Sequence, residues 1–87
     1  MNASAPWEQL LRTSAQRCLA YLRTAWHERP QGQDFVVATF DDFVYGAGVS
    51  RASVRPSLDQ LIAVQLVAQA GTVRGRRGHP RNAFRLP

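Results

Sequence analysis

GVSRASVRPSLDQLIAVQLV, residues 48–67, is the stretch on which the fold turns. Gly48 marks a tight turn, because a residue without Cβ tolerates the positive φ that such turns demand. Val49 then plugs the turn into the core. Ser50 stands where an N-cap hydroxyl accepts a backbone N–H of the following helix. That helix is expected over about 50–64. Val54, Leu58, Leu61 and Ile62 recur at helical spacing and face inward. Arg51 and Arg55 are four apart and share one face. Pro56 lies inside the span, deletes one backbone hydrogen bond, and is expected to kink the helix or delay its regular start.

Downstream, AQAGTVRGRRGHPRNAFRLP, residues 68–87, is a short apolar run, an arginine-rich Gly/Pro loop and a second short apolar run. Strands are expected at 66–68 and 82–86, with a loop from Gly71 to Arg81 between them. Upstream, Thr39 caps a helix of about 39–46, with Asp42 three residues on in a capping-box position. Asp41 and Asp42 sit at the positive end of its dipole. Phe40, Phe43 and Val44 give it a buried face, and Gly46 and Gly48 break it. Phe35 to Ala38 reads as a short strand. Before it, apolar residues at Leu11, Ala15, Cys18, Leu22 and Ala25, widened by Leu10, Leu19 and Trp26, give helix 1 over about 7–28. Ser4 or Ala5 would cap it, Pro6 suits its first turn, and Pro30 and Gly32 stop it. Residues 1–6 read as a flexible N-terminus and 7–87 as one domain.

Composition narrows the classes. At 87 residues and 45% hydrophobic content, the chain suits one small globular domain with a modest core. No apolar run approaches the roughly 18 residues of a membrane span, and no signal peptide is evident. The single cysteine, Cys18, cannot form an internal disulfide, so a cytoplasmic, reducing location is expected. The charge of +5 is uneven. Residues 1–50 hold four Arg against five acids, net −1, and residues 51–87 hold seven Arg against Asp59 alone, net +6. This asymmetry points to a polyanion partner for the C-terminal half. All 11 cations are Arg, whose planar fork suits phosphate and guanine. A GC-rich genome would also favour Arg over Lys.

With these residues in place, the chain resembles the winged helix-turn-helix superfamily of bacterial transcriptional regulators. GVSRASVRPSLDQLIAVQLV is similar to the turn, recognition helix and strand entry of MarR- and GntR-type domains. RGRRGHPRNAFRLP resembles the basic wing and returning strand of several such regulators. The resemblance covers about residues 35–87, and helix 1 is compatible with it. It implies an α+β fold, a three-helix winged helix-turn-helix with a small antiparallel β-sheet whose hairpin, about 66–86, is the wing. By resemblance Ser50, Arg51, Ser53 and Arg55 fall on the recognition helix, and Arg74, Arg76, Arg77 and Arg81 on the wing. Two departures stand out. Pro56 is unusual in a recognition helix, and residues 1–87 hold no counterpart of the ligand-sensing domain of a GntR-type regulator.

The implied function is double-stranded DNA binding by a small repressor or a plasmid, phage or mobile-element factor, nucleoid-associated when bound. An arginine in the major groove can bind guanine O6 and N7 bidentately. The serines can donate to phosphate or base edges, and the glycine-flanked wing arginines can grip phosphate or enter a narrow minor groove. The bland alternative for each is a solvated surface residue. A homodimer through helix 1 is possible, with Trp7 and Trp26 serving either the core or that contact. His79 reads as an exposed loop residue, His27 as a partner of terminal helix carbonyls, and Cys18 as a core residue. Neither a cofactor nor a small-molecule effector is implied. One Cys and two distant His give no zinc spacing, and without Lys there is no phosphate-binding P-loop, so no enzymatic activity is expected. Other readings are a winged helix that binds an acidic protein surface, or one that binds structured RNA.

Overall fold

A computed structural model describes residues 11–74 and 80–87. Over that range the chain is a small α+β domain of three helices and a three-stranded antiparallel sheet. Helix α1 spans Thr13–Glu28, strand β1 Val36–Ala38, and α2 Phe40–Asp42, continued by a π-helical turn, Phe43–Ala47. Helix α3 spans Arg51–Ala63, β2 Ala68–Arg74 and β3 Pro80–Arg85.

Helix α1 starts later than the 7–28 periodicity suggests. Arg12 is extended at φ −57° and ψ 149°, and its backbone N–H donates to Gln60 Oε1 of α3 at 3.3 Å. The chain therefore turns into the helix at Thr13, while Leu11 before it is buried in the core. The expected cap at Ser4 or Ala5, with Pro6 and Trp7, lies outside the described residues. The other end of α1 falls where expected, for a local reason. Arg29 precedes Pro30, whose ring disfavours the helical region for its neighbour, and Arg29 is extended at ψ 151°.

The second helix opens on the capping box read from Thr39 and Asp42. Thr39 Oγ1 accepts from the Asp42 N–H at 3.1 Å, and Asp42 Oδ2 accepts from the Thr39 N–H at 2.8 Å. Phe43 is fully buried, and Phe40 and Val44 are half-buried against the core. Gly46 does not break the helix as expected. It lies inside the π-helical turn, where a Cβ would come within 2.4 Å of the Tyr21 ring, so its role is to let α1 approach. Gly48 does end the element, with φ 72° in the left-handed region, and Val49 is buried behind it.

Helix α3 runs unbroken through Pro56 from a regular start at Arg51, so the expected delay does not occur. Pro56 and Ala52, whose carbonyl loses a partner, are both exposed, and water can take that carbonyl. The helix exits through a Schellman motif. The Leu66 N–H reaches Leu61 O and the Gln65 N–H reaches Ile62 O, both at 3.0 Å, with Gln65 left-handed at φ 63°. The first hairpin strand consequently begins at Ala68 rather than Leu66. The hairpin strands are also longer than expected, since Gly71–Arg74 and Pro80–Arg81 are paired rather than looped. Gly71, at φ 118°, sits at a bulge where the register skips Ala70.

The sheet order is β1-β3-β2, so the last strand is central. Phe84 on β3 pairs opposite Val36 on β1 and packs edge-on to Phe43, with centroids 6.0 Å apart. Phe43 in turn meets Tyr21 of α1 at 5.4 Å. Val54, Leu58 and Leu61 of α3 complete this core with Ala15, Cys18, Leu19 and Leu22 of α1. Ile62 is half-buried. Ser57, the one buried polar residue among those described, donates to Ser53 O at 2.6 Å and lies 2.8 Å from Ser14 Oγ of α1.

Candidate nucleic-acid interface

The turn between α2 and α3 is held from outside by α1. Arg17 Nη1 donates to the Gly48 carbonyl at 3.1 Å, tying the left-handed residue to the first helix. The start of α3 is thereby fixed against both other helices, and its outward face carries Arg51, Ala52, Arg55, Pro56 and Asp59.

Four of the expected site residues gather there. Ser50 is the N-cap, but its hydroxyl makes no cap bond to the helix backbone, which corrects the expectation. Instead Ser50 Oγ lies 2.8 Å from Ser53 Oγ, and the Ser53 N–H is taken by the Ser50 carbonyl at 2.9 Å. Arg51 Nη2 forms an ion pair with Asp41 Oδ1 of α2. Arg55 Nη1 is 4.0 Å from Asp59 Oδ1, one turn on, and its guanidinium lies 5.6 Å from the centroid of the Phe40 ring. The α3 arginines are therefore exposed yet partnered.

The second expected group is on the hairpin. Arg81 is exposed on β3 opposite Val73 of β2, and no ion pair among the described residues engages it. Arg74 ends β2 opposite Pro80, but its side chain is outside the described part. Arg76, Arg77 and His79 lie outside the described residues. Arg85, not singled out from sequence, pairs with Asp34 at 3.1 Å and ties β3 to the segment before β1.

Sequence reasoning missed Asp41, Asp59 and Phe40. Asp59 was readable from its i,i+4 spacing to Arg55. Asp41 was explained by the helix dipole alone, whereas Asp42 does the capping and Asp41 reaches α3. The role given to His27 passes to Arg29, whose Nη1 donates to Trp26 O at 2.6 Å while its guanidinium stacks 3.8 Å from the half-buried Trp26 ring.

Cys18 is a free, buried thiol. Burial pushes its pKa up, and a hydrogen bond with Ser57 only partly offsets that, so the reactive thiolate is disfavoured. Among the described residues no three His, Cys, Asp or Glu side chains gather as metal ligands, and no helix is long and apolar enough to cross a membrane. No protein-family model, curated protein or solved structure matches this chain.

Proposed function

We propose that this chain is a winged helix-turn-helix that binds double-stranded DNA, with α3 in the major groove and the β2–β3 hairpin as the wing on phosphate. One observation carries the reading. The element order α1-β1-α2-α3-β2-β3, with β3 between β1 and β2, leaves α3 with a cationic outward row and is followed by an arginine-bearing hairpin. Placing the N-terminal half of such a helix in the groove brings Arg51 and Arg55 to base edges and Ser50 and Ser53 to the backbone. Arg74, Arg76, Arg77 and Arg81 supply the sequence-independent grip. The reading places the chain among small transcriptional regulators, working in the cytoplasm and on the nucleoid.

One domain of this kind covers about 600–1,000 Å² of DNA, little for a specific single-site binder. Binding as a homodimer or to repeated half-sites follows.

The test is a titration of a fluorescent random-sequence duplex by anisotropy at several salt concentrations. If about five arginines each neutralise a phosphate, log K falls against log salt with a slope of about −4 to −5. The Arg51→Ala/Arg55→Ala variant keeps its fold and loses about 1–3 kcal/mol of base discrimination per arginine, with a salt slope nearly unchanged, because base-edge contacts neutralise no phosphate. Absence of duplex binding at about 50 mM salt overturns the proposal. Retained binding to a structured RNA or an acidic protein under those conditions would identify the other partner class.

A further inference from the structure

Resting on that reading, we infer that Asp41 is a positioning residue that sets specificity, holding Arg51 ready for a base edge and turning it away from phosphate.

The first turn of α2 receives both α3 arginines. Arg51 is bound by Asp41, and Arg55 lies over the ring of Phe40, the residue next to it. The Arg51 and Asp41 side chains are 64% and 60% exposed, so the pair faces the same solvent that a duplex would displace. Asp41 is not occupied by the cap, because Asp42 fills the capping box.

A guanidinium has five N–H donors in a planar fork. Asp41 takes one terminal nitrogen, Nη2, which leaves the other nitrogens to donate. Guanine presents O6 and N7, two neutral acceptors that a held fork can meet with its remaining donors. A carboxylate nearby repels their partial charges far less than it repels a full anion, and the fixed rotamer reduces the ordering still to be lost on binding. A phosphate is an anion. To engage Arg51 it must approach the carboxylate as a like charge or displace it. Asp41 therefore weakens binding to arbitrary duplex more than it weakens binding to a site with guanine opposite Arg51. Asp59 acts on Arg55 in the same sense, but through a looser 4.0 Å contact.

The experiment compares wild type, Asp41→Asn, Arg51→Ala and the double variant. Each is titrated with a random-sequence duplex, and with the tightest-binding sequence that wild type selects from a random library. Asp41→Asn keeps the size of the side chain and removes its charge. It is expected to bind the random duplex about threefold more tightly at about 50 mM salt, with a slope steeper by about 0.9, one further phosphate. Its gain on the selected duplex is smaller, so the specificity ratio falls. On the Arg51→Ala background the slope change vanishes, which a mere change in net charge would not produce. Thermal melts check that each variant is folded, and Asp41→Ser replaces Asp41→Asn if that variant is not.

An unchanged random-duplex slope in Asp41→Asn, or an effect that persists in full without Arg51, overturns the inference and leaves the DNA-binding reading standing. Failure of wild type to bind any duplex overturns both, and is seen before a variant is made.

Discussion

Along α3 the inward face carries Val54, Ser57, Leu58 and Leu61, each at most 1% exposed, while the outward face carries Arg51, Arg55, Pro56 and Asp59, all exposed. The inward residues are locked against α1 and the sheet, and each removed methylene leaves a void that close-packed neighbours fill only in part. The outward residues interact through exposed charge pairs, which contribute about 0–1 kcal/mol each. The same helix thus separates two jobs by face. Changes on one side should register as stability. Changes on the other should register as binding, with the fold nearly intact. The hairpin adds a third setting, since Arg81 is exposed and, among the described residues, has no carboxylate partner of the kind that holds the α3 arginines.

The largest effect belongs to the inward face. Leu61→Ala should lower the unfolding free energy by about 2–5 kcal/mol, read from the urea midpoint at constant m-value. A loss below about 1 kcal/mol would break the contrast, because it would mean that α3 is not seated as described. Next comes Gly46→Ala, expected to cost about 1–3 kcal/mol by overpacking against Tyr21. Its signature is an altered near-ultraviolet aromatic signal, since Tyr21 must leave its edge contact with Phe43. An unchanged aromatic spectrum at full stability would show that the α1–π-turn contact is looser than 2.4 Å implies. Smaller and opposite in sign, Gln65→Gly should stabilise by about 0.5–1 kcal/mol. It relieves a left-handed residue at the Schellman position, less the backbone entropy that glycine adds to the unfolded chain. A loss of stability would show that the Gln65 side chain contributes more than its backbone strain costs.

These same positions explain what could be read from the residues alone. The inward face of α3 was legible because 3.6-residue periodicity is a property of the chain itself, and the Thr39–Asp42 cap because it spans three residues. Gly48 was legible from its turn chemistry. The end of α3 was legible to within a residue, but the start of β2 was not, since Gln65 occupies a left-handed position where glycine is the usual signal. Gly46 misled for the complementary reason. Its missing Cβ serves a contact with Tyr21, 25 positions earlier. The start of α1 was masked by Leu10 and Leu11, which continue the apolar stripe although the Arg12 N–H is committed to Gln60, 48 positions away. The arginines of the candidate interface were identifiable by charge and position, whereas the Asp41 partner of Arg51 was not, because their pairing depends on how α2 and α3 cross.

The finest test of the two-faced helix is Ser50. A serine at an N-cap that bonds the helix backbone is worth about 1 kcal/mol, as Thr39 is placed to be for α2. Ser50 has the position without the bond. Its hydroxyl meets Ser53 Oγ, and the Ser53 N–H is already satisfied by the Ser50 carbonyl. Ser50→Ala should therefore cost only about 0.2–0.4 kcal/mol, below the usual cap loss, measured by urea denaturation. A loss near 1 kcal/mol would mean that the hydroxyl swings onto the backbone in solution and serves the helix rather than a ligand. If the small value holds, the hydroxyl is free of structural duty. Any larger drop of Ser50→Ala in duplex affinity than in stability then reports contact with DNA, because the outward face has too little folding energy at this position to account for it.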